Sequence, residues 1–214
     1  MDKTQPTAFA ICEDVKPQIG KPALIHGPYM ISPDGLHKAY ATVEVQVPDS
    51  GHKDEYDCRN HSTLFAGKGS NSQFAPVLDV AGADNPTRGN GLQLVDWSSD
   101  SDTLLADLMT WRYGSDAIEH NLVLYSSRTG VVRQKPLSSV FRSVSNQDCF
   151  FDGQIMGFLV DGRIAVRATA IGEEGIVSCV ERTGFWALDV SDFKLRQISG
   201  ERVVKHNGHF EESK

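Results

Sequence analysis

Three short segments of this chain end an apolar run in a tight turn centred on an aspartate. They are Met30-Ile31-Ser32-Pro33-Asp34-Gly35, Trp97-Ser98-Ser99-Asp100-Ser101-Asp102 and Phe158-Leu159-Val160-Asp161-Gly162-Arg163, with the aspartates 66 and 61 residues apart. An aspartate carboxylate accepts hydrogen bonds from backbone N–H groups just ahead of it, and glycine supplies the positive φ that such turns need. A second strand follows each turn: Lys38–Val45, Thr103–Trp111 and Ile164–Ala170. A third follows at Ser62–Ala66, Asn121–Tyr125 and Gly184–Asp189, and a fourth at Phe74–Val80, Val131–Leu137 and Lys194–Ile198. The chain therefore reads as about three four-stranded antiparallel units. One such sheet cannot bury both its faces alone, so the units must stack.

The rest of the chain agrees with an all-β class. His37–Val47 alternates and is rich in Val, Thr and Tyr, while Arg163–Ala168 and Gly184–Val190 are short strand-like runs between turn residues. No stretch carries a helical apolar period with proper caps. The expected organisation is an N-terminal extension over 1–23, a β domain over 24–200 and a C-terminal tail over 201–214. Repeats of 61–66 residues leave room for inserted loops, placed at Pro48–Asn60 and Ser143–Gln154.

The Ser-Pro-Asp-Gly run ending in Ala39, with its looser copy Trp97–Ala106, resembles the repeat of TolB-like and WD-repeat-like β-propellers, and also the propeller domains of prolyl oligopeptidases. Leu122–Gly130 resembles the third strand and turn of such blades. The resemblance implies a propeller-like fold, a binding or assembly role, and a bacterial envelope protein. Three blades do not close a ring, since single chains usually carry about 4–8. The readings are a half-ring that pairs as a homodimer, a fragment of a larger propeller, or a β-sandwich.

Charge and composition exclude several classes. The net charge is −7, with 21 basic residues scattered among 28 acidic ones, so the clustered Lys and Arg that neutralise nucleic-acid phosphates are missing. No apolar run is long enough for a membrane span. The N-terminus lacks the basic start and apolar middle of a signal peptide, so the expected compartment is cytoplasmic, or periplasmic or secreted if a signal was removed. Cys12, Cys58, Cys149 and Cys179 show no zinc-site spacing. They read either as two local disulfides, Cys12–Cys58 and Cys149–Cys179, or as buried thiols.

Motifs for chemistry are sparse. Gly67-Lys68-Gly69-Ser70 lacks the spacing and the following helix of a phosphate loop. Gly89-Asn90-Gly91 lacks the third glycine and helix of a dinucleotide site, and reads as a loop before a strand Leu92–Trp97. There is no Gly-x-Ser-x-Gly elbow. His206 and His209 sit in what reads as a loose terminus, and Asp96, Asp100 and Asp102 lack the calcium-loop run, so no metal and no cofactor is assigned. Glu44, Asp107, Glu173, Glu174 and Asp189 are the carboxylates a glycosidase could use; Asp107, inside an apolar strand, is expected to face water.

Binding is accordingly favoured over catalysis, with a protein or glycan partner held by inter-strand loops. Aromatics near strands (Trp97, Trp111, Tyr113, Tyr125, Phe185, Trp186) read first as core. The candidate partner-binding residues are Trp111, Arg112 and Tyr113, because aromatic and arginine side chains together at a strand end form a common hot spot. The alternative is a carbohydrate-active enzyme, a glycoside hydrolase or lyase, using paired carboxylates.

Overall fold

The computed structural model describes residues 7–8, 20–46, 59–69, 73–82, 88–112, 115, 117–144, 150–171, 182–199 and 204–211. All four cysteines, Tyr113, Glu173, Glu174, residues 48–58 of the first expected insert and residues 145–149 of the second lie outside these residues. The described chain is all-β apart from one short helix.

Among the described residues three antiparallel sheets form, each built on a meander of four strands. Sheet 1 holds β3 (Tyr29–Ile31), β4 (His37–Gln46), β5 (Arg59–Lys68) and β6 (Ala75–Val80), with β2 (Ala23–His26) also pairing β4. Sheet 2 holds β7 (Arg88–Trp97), β8 (Thr103–Arg112), β9 (Ile118–Ser126) and β10 (Val132–Pro136). Sheet 3 holds β11 (Phe150–Phe158), β12 (Ile164–Ile171), β13 (Gly184–Leu188) and β14 (Leu195–Ile198). Helix α1 (Leu137–Arg142) follows β10 and takes Leu137, which had read as strand.

The aspartate turns repeat atom for atom in the first two sheets. Ser32 Oγ donates to Asp34 Oδ1 at 2.5 Å and accepts from His37 N–H at 3.0 Å. Ser98 Oγ donates to Asp100 Oδ1 at 2.6 Å and accepts from Thr103 N–H at 2.8 Å. The third turn has Leu159 in the serine position and is one residue shorter, closing through Leu159 N–H to Arg163 O at 2.7 Å. The left-handed position of the three turns is held by Gly35, Ser101 and Gly162 at φ 72°, 63° and 82°.

Alternation along the strands explains the stacking. In β4 the residues Ala39, Ala41, Val43 and Val45 form one face, which approaches β7 and shares a core with Leu92, Leu94 and Trp97 of that strand and Leu104, Ala106 and Leu108 of β8. The other face of sheet 2, with Leu105, Leu122 and Leu124, meets Ile164, Val166 and Ala168 of β12, together with Phe141 of α1 and Trp186 of β13. Sheet 2 is thus buried on both sides, and β8 reads as the near-continuous apolar run such a strand requires.

Two outlying segments pair into the sheets, and the C-terminal one corrects the expected loose terminus. β1 (Thr7–Ala8) pairs with β7, and β15 (His209–Glu211) pairs with β3. Each covers a sheet edge that would otherwise present open backbone groups. The tail docks because β7 carries a bulge between Leu94 and Asp96 that re-aims Asp96. Asp96 is fully buried. Its Oδ1 accepts from the N–H groups of Trp97, Asn207 and Gly208, and its Oδ2 from Phe158 N–H at 3.2 Å. One carboxylate therefore ties together sheet 2, sheet 3 and the C-terminal segment. Gly157 sits against it at φ 132°, in the matching bulge of β11; a Cβ there would meet Val204 Cγ1 at 2.7 Å.

Candidate functional site

The strands of sheet 2 run on past the first core, and their far end forms a cleft of about 500 Å³ with the end of β6. Val80 and Ala81 give one wall; Arg88, Asn90, Thr110, Arg112 and Glu119 give the other. Cross-strand register places these five on one face. Arg88 lies opposite Arg112, and one row inward Asn90, Thr110 and Glu119 lie side by side. Adjacent rows on one face are two residues apart, about 7 Å along the strand.

Gly89-Asn90-Gly91 is strand, correcting the expected loop. The indole of Trp111 lies over Gly89 so closely that a Cβ there would be 2.3 Å from Cε2. A bare backbone under an aromatic ring keeps the strand paired where glycines would otherwise weaken it. Asn90 holds the cleft wall. Its Nδ2 donates to Asn60 O at 2.9 Å and to Ala81 O at 3.4 Å, and Asn60 Nδ2 returns a bond to Asn90 O at 3.3 Å. This reciprocal amide pair fixes sheet 1 against sheet 2 at the cleft. Asn90 Oδ1 is buried without a hydrogen-bond partner.

The three sequence-chosen residues separate. Trp111 is 8% exposed and faces away from Arg112, as neighbours on a strand must. Its ring serves the fold, while Arg112 is exposed on the cleft side. Tyr113 lies outside the described residues. Arg88, Asn90, Thr110 and Glu119 were not picked out by sequence reasoning, because only the β7–β8–β9 register brings them together.

The electrostatics of the cleft are uneven. Two arginines stand directly opposite one another, an arrangement that is destabilising by itself. Among the described residues neither forms an ion pair. Glu119 Oε1 accepts from Ser138 Oγ at 3.1 Å and keeps the rest of its carboxylate for the cleft rim. Such a surface offers donors to an anion at one end and an acceptor to a donor group about 7 Å away.

A second polar site lies on the other face of sheet 2. Asp107, expected in water, is 3% exposed. Its Oδ2 is 2.6 Å from Nδ1 of His120, while its Oδ1 is buried without a partner. Burial would lower the His120 pKa, but the hydrogen bond and charge of Asp107 and the charge of Asp152 outweigh it and raise the pKa above the ordinary 6.5. Asp107 is buried because sheet 3 covers that face, which the strand's own pattern does not announce.

Among the described residues no three His, Cys, Asp or Glu side chains are grouped to hold a metal. No described helix is long and apolar enough to cross a membrane. His206 faces Asp96 at 4.0 Å, and His209 lies in β15. Comparison with known proteins finds no matching family model, no matching curated protein and no matching solved structure.

Proposed function

We propose that this chain is a propeller-type binding module whose cleft at the far end of sheets 1 and 2 receives an extended segment of a partner protein. The propeller reading rests on three stacked meanders with an aspartate turn ahead of each second strand, the same in the first two sheets and one residue shorter in the third. The TolB-like and WD-repeat-like resemblance rests on those turns. The observation that carries the function is the Arg88–Arg112 pair, two like charges opposed on adjacent strands in a cleft. An anionic ligand group offsets that repulsion and takes charge-assisted hydrogen bonds.

The second row sharpens the partner. An extended peptide carries same-side residues about 7 Å apart, the spacing between the arginine row and the Glu119 row. A segment with an acidic residue followed two positions later by Lys or Arg satisfies both ends. A uronate-bearing glycan would present the anion without the matched cation. Titration with an acidic–basic alternating peptide and, separately, with a uronate oligosaccharide tests the choice. Peptide binding that Arg112→Ala weakens supports it; binding of the sugar alone overturns it.

A second reading, a carbohydrate-active enzyme, is favoured by Asp107, a buried carboxylate with one oxygen on His120 and the other without a partner. Glycosidases place two carboxylates roughly 5–10 Å apart. The second carboxylate here would be Asp152, whose charge reaches His120. Release of reducing ends from a polysaccharide, abolished in Asp107→Asn, would establish it; binding without turnover argues against it.

A further inference from the structure

The stacking follows one rule twice. Counted from the residue that closes each turn, His37, Thr103 or Arg163, the even-numbered positions of one sheet's second strand share a core with the odd-numbered positions of the next. Thus Ala39, Ala41 and Val43 of sheet 1 share a core with Leu104 and Ala106 of sheet 2, and Leu105 of sheet 2 shares one with Ile164 and Val166 of sheet 3. Two faces take no part in these two cores: the odd face of sheet 1 and the even face of sheet 3, where Ala165 and Ala187 are already buried within the chain and Arg167 and Arg196 stand exposed.

The two faces also differ in chemistry in a complementary way. On sheet 1 the rings of Tyr29, Tyr40, Phe65 and Phe74 form one connected patch, with Tyr40 stacked on Phe65 at 4.8 Å and edge-on to Tyr29 and Phe74. Glu44 lies on the same face, one row beyond Thr42. On sheet 3, Arg167 sits between Gln154 and Phe185 in one cross-strand row, and Arg196 lies beside Ala187 and Ala165. Both arginines are exposed, and among the described residues neither forms an ion pair. Guanidinium groups favour aromatic ring faces and carboxylates, and such pairs are typical of an interface rather than a core.

We infer that the aromatic face of sheet 1 docks on the arginine face of sheet 3 of a second copy of this chain. Each copy offers both faces, so two copies related by a twofold axis make two identical seams and close. The result is a ring of six sheets, inside the usual range of about 4–8. This rests on the propeller reading above but not on the cleft: the seam residues and the cleft residues are distinct.

Light scattering on a gel-filtration column tests it with the full chain. The expected mass is twice 23.5 kDa. Arg167→Glu with Arg196→Glu, and separately Tyr40→Glu, each should return the mass to 23.5 kDa with unchanged circular dichroism. Mixing the two variants should restore some dimer, because one intact seam survives in the mixed pair. Arg112→Glu, which abolishes cleft binding, should leave the mass unchanged. A wild-type monomer at every concentration, an open ladder of oligomers, or a dimer indifferent to both seam variants each overturns the inference. If Tyr40→Glu fails to fold, the exposed arginine pair decides alone.

Discussion

The Oδ1 of Asp96 accepts the backbone N–H of Asn207 at 2.8 Å, across 111 residues of chain. The same oxygen takes Gly208 N–H, and the second oxygen takes Phe158 N–H. Removing the side chain orphans two buried backbone donors, Trp97 and Phe158, and two part-buried ones, Asn207 and Gly208, with a cost of about 1–3 kcal/mol for each buried donor before relaxation. Asp96→Ala is therefore expected to lower stability by about 3 kcal/mol or more, measured by urea unfolding. Asp96→Asn should cost less, since its amide oxygen can still accept. Hydrogen exchange over 204–211 should accelerate in both variants, more strongly in Asp96→Ala.

Ser101 holds a left-handed turn position that glycine holds in the other two sheets, and its hydroxyl accepts Asp34 N–H at 3.1 Å across the seam. Ser101→Ala loses the bond and keeps the strain. Ser101→Gly loses the bond and relieves a strain of about 1–2 kcal/mol. Thermal unfolding should rank them wild type or Ser101→Gly above Ser101→Ala. Equal loss in both would remove the strain argument.

Gly89→Ala places a methyl group where the Trp111 indole lies. Overpacking of this kind costs about 1–3 kcal/mol. The expected outcome is a lower unfolding midpoint together with a red shift of tryptophan emission, as one of three tryptophans leaves its buried position.

The His120–Asp107 pair predicts a pH dependence of fixed sign. The folded pKa of His120 is raised above 6.5, so folding binds the proton more tightly than the unfolded chain does. The stabilisation is fully present below pH 6.5 and is lost as pH rises through the raised folded value. Unfolding midpoints measured from pH 5.5 to about 9 should fall with rising pH in wild type and flatten in His120→Gln. A wild-type profile that rises over that window would contradict the pairing.

Much of the fold was legible in the chain. Asp34, Asp100 and Asp161 marked the turns because local side-chain-to-backbone bonds make them, and local bonds leave a local signature. Gly35 and Gly162 were readable as positive-φ positions; Ser101 was not, because its strain is offset by a bond from the neighbouring sheet. Gly89-Asn90-Gly91 read as loop because the indole that supports it lies 22 residues on. The tail over 204–211 read as loose because its anchor, Asp96, gives no sign in sequence that it will be buried. Asp107 misled for the same reason. Of the residues chosen from sequence, Arg112 lies on the cleft side of its strand end, but adjacent residues point oppositely on a strand, so Trp111 went to the fold. Arg88 and Glu119 entered only through register.

Peptide binding in the Arg88–Arg112 cleft is tested by calorimetric titration of the full chain with a peptide alternating Glu and Lys between β-branched residues, at low and moderate salt. The expected result is saturable binding that weakens with salt, and a loss of about tenfold or more in Arg88→Ala and in Arg112→Ala, the scale of one charge-assisted hydrogen bond. Absence of binding, or binding that both arginine variants leave unchanged, would contradict it.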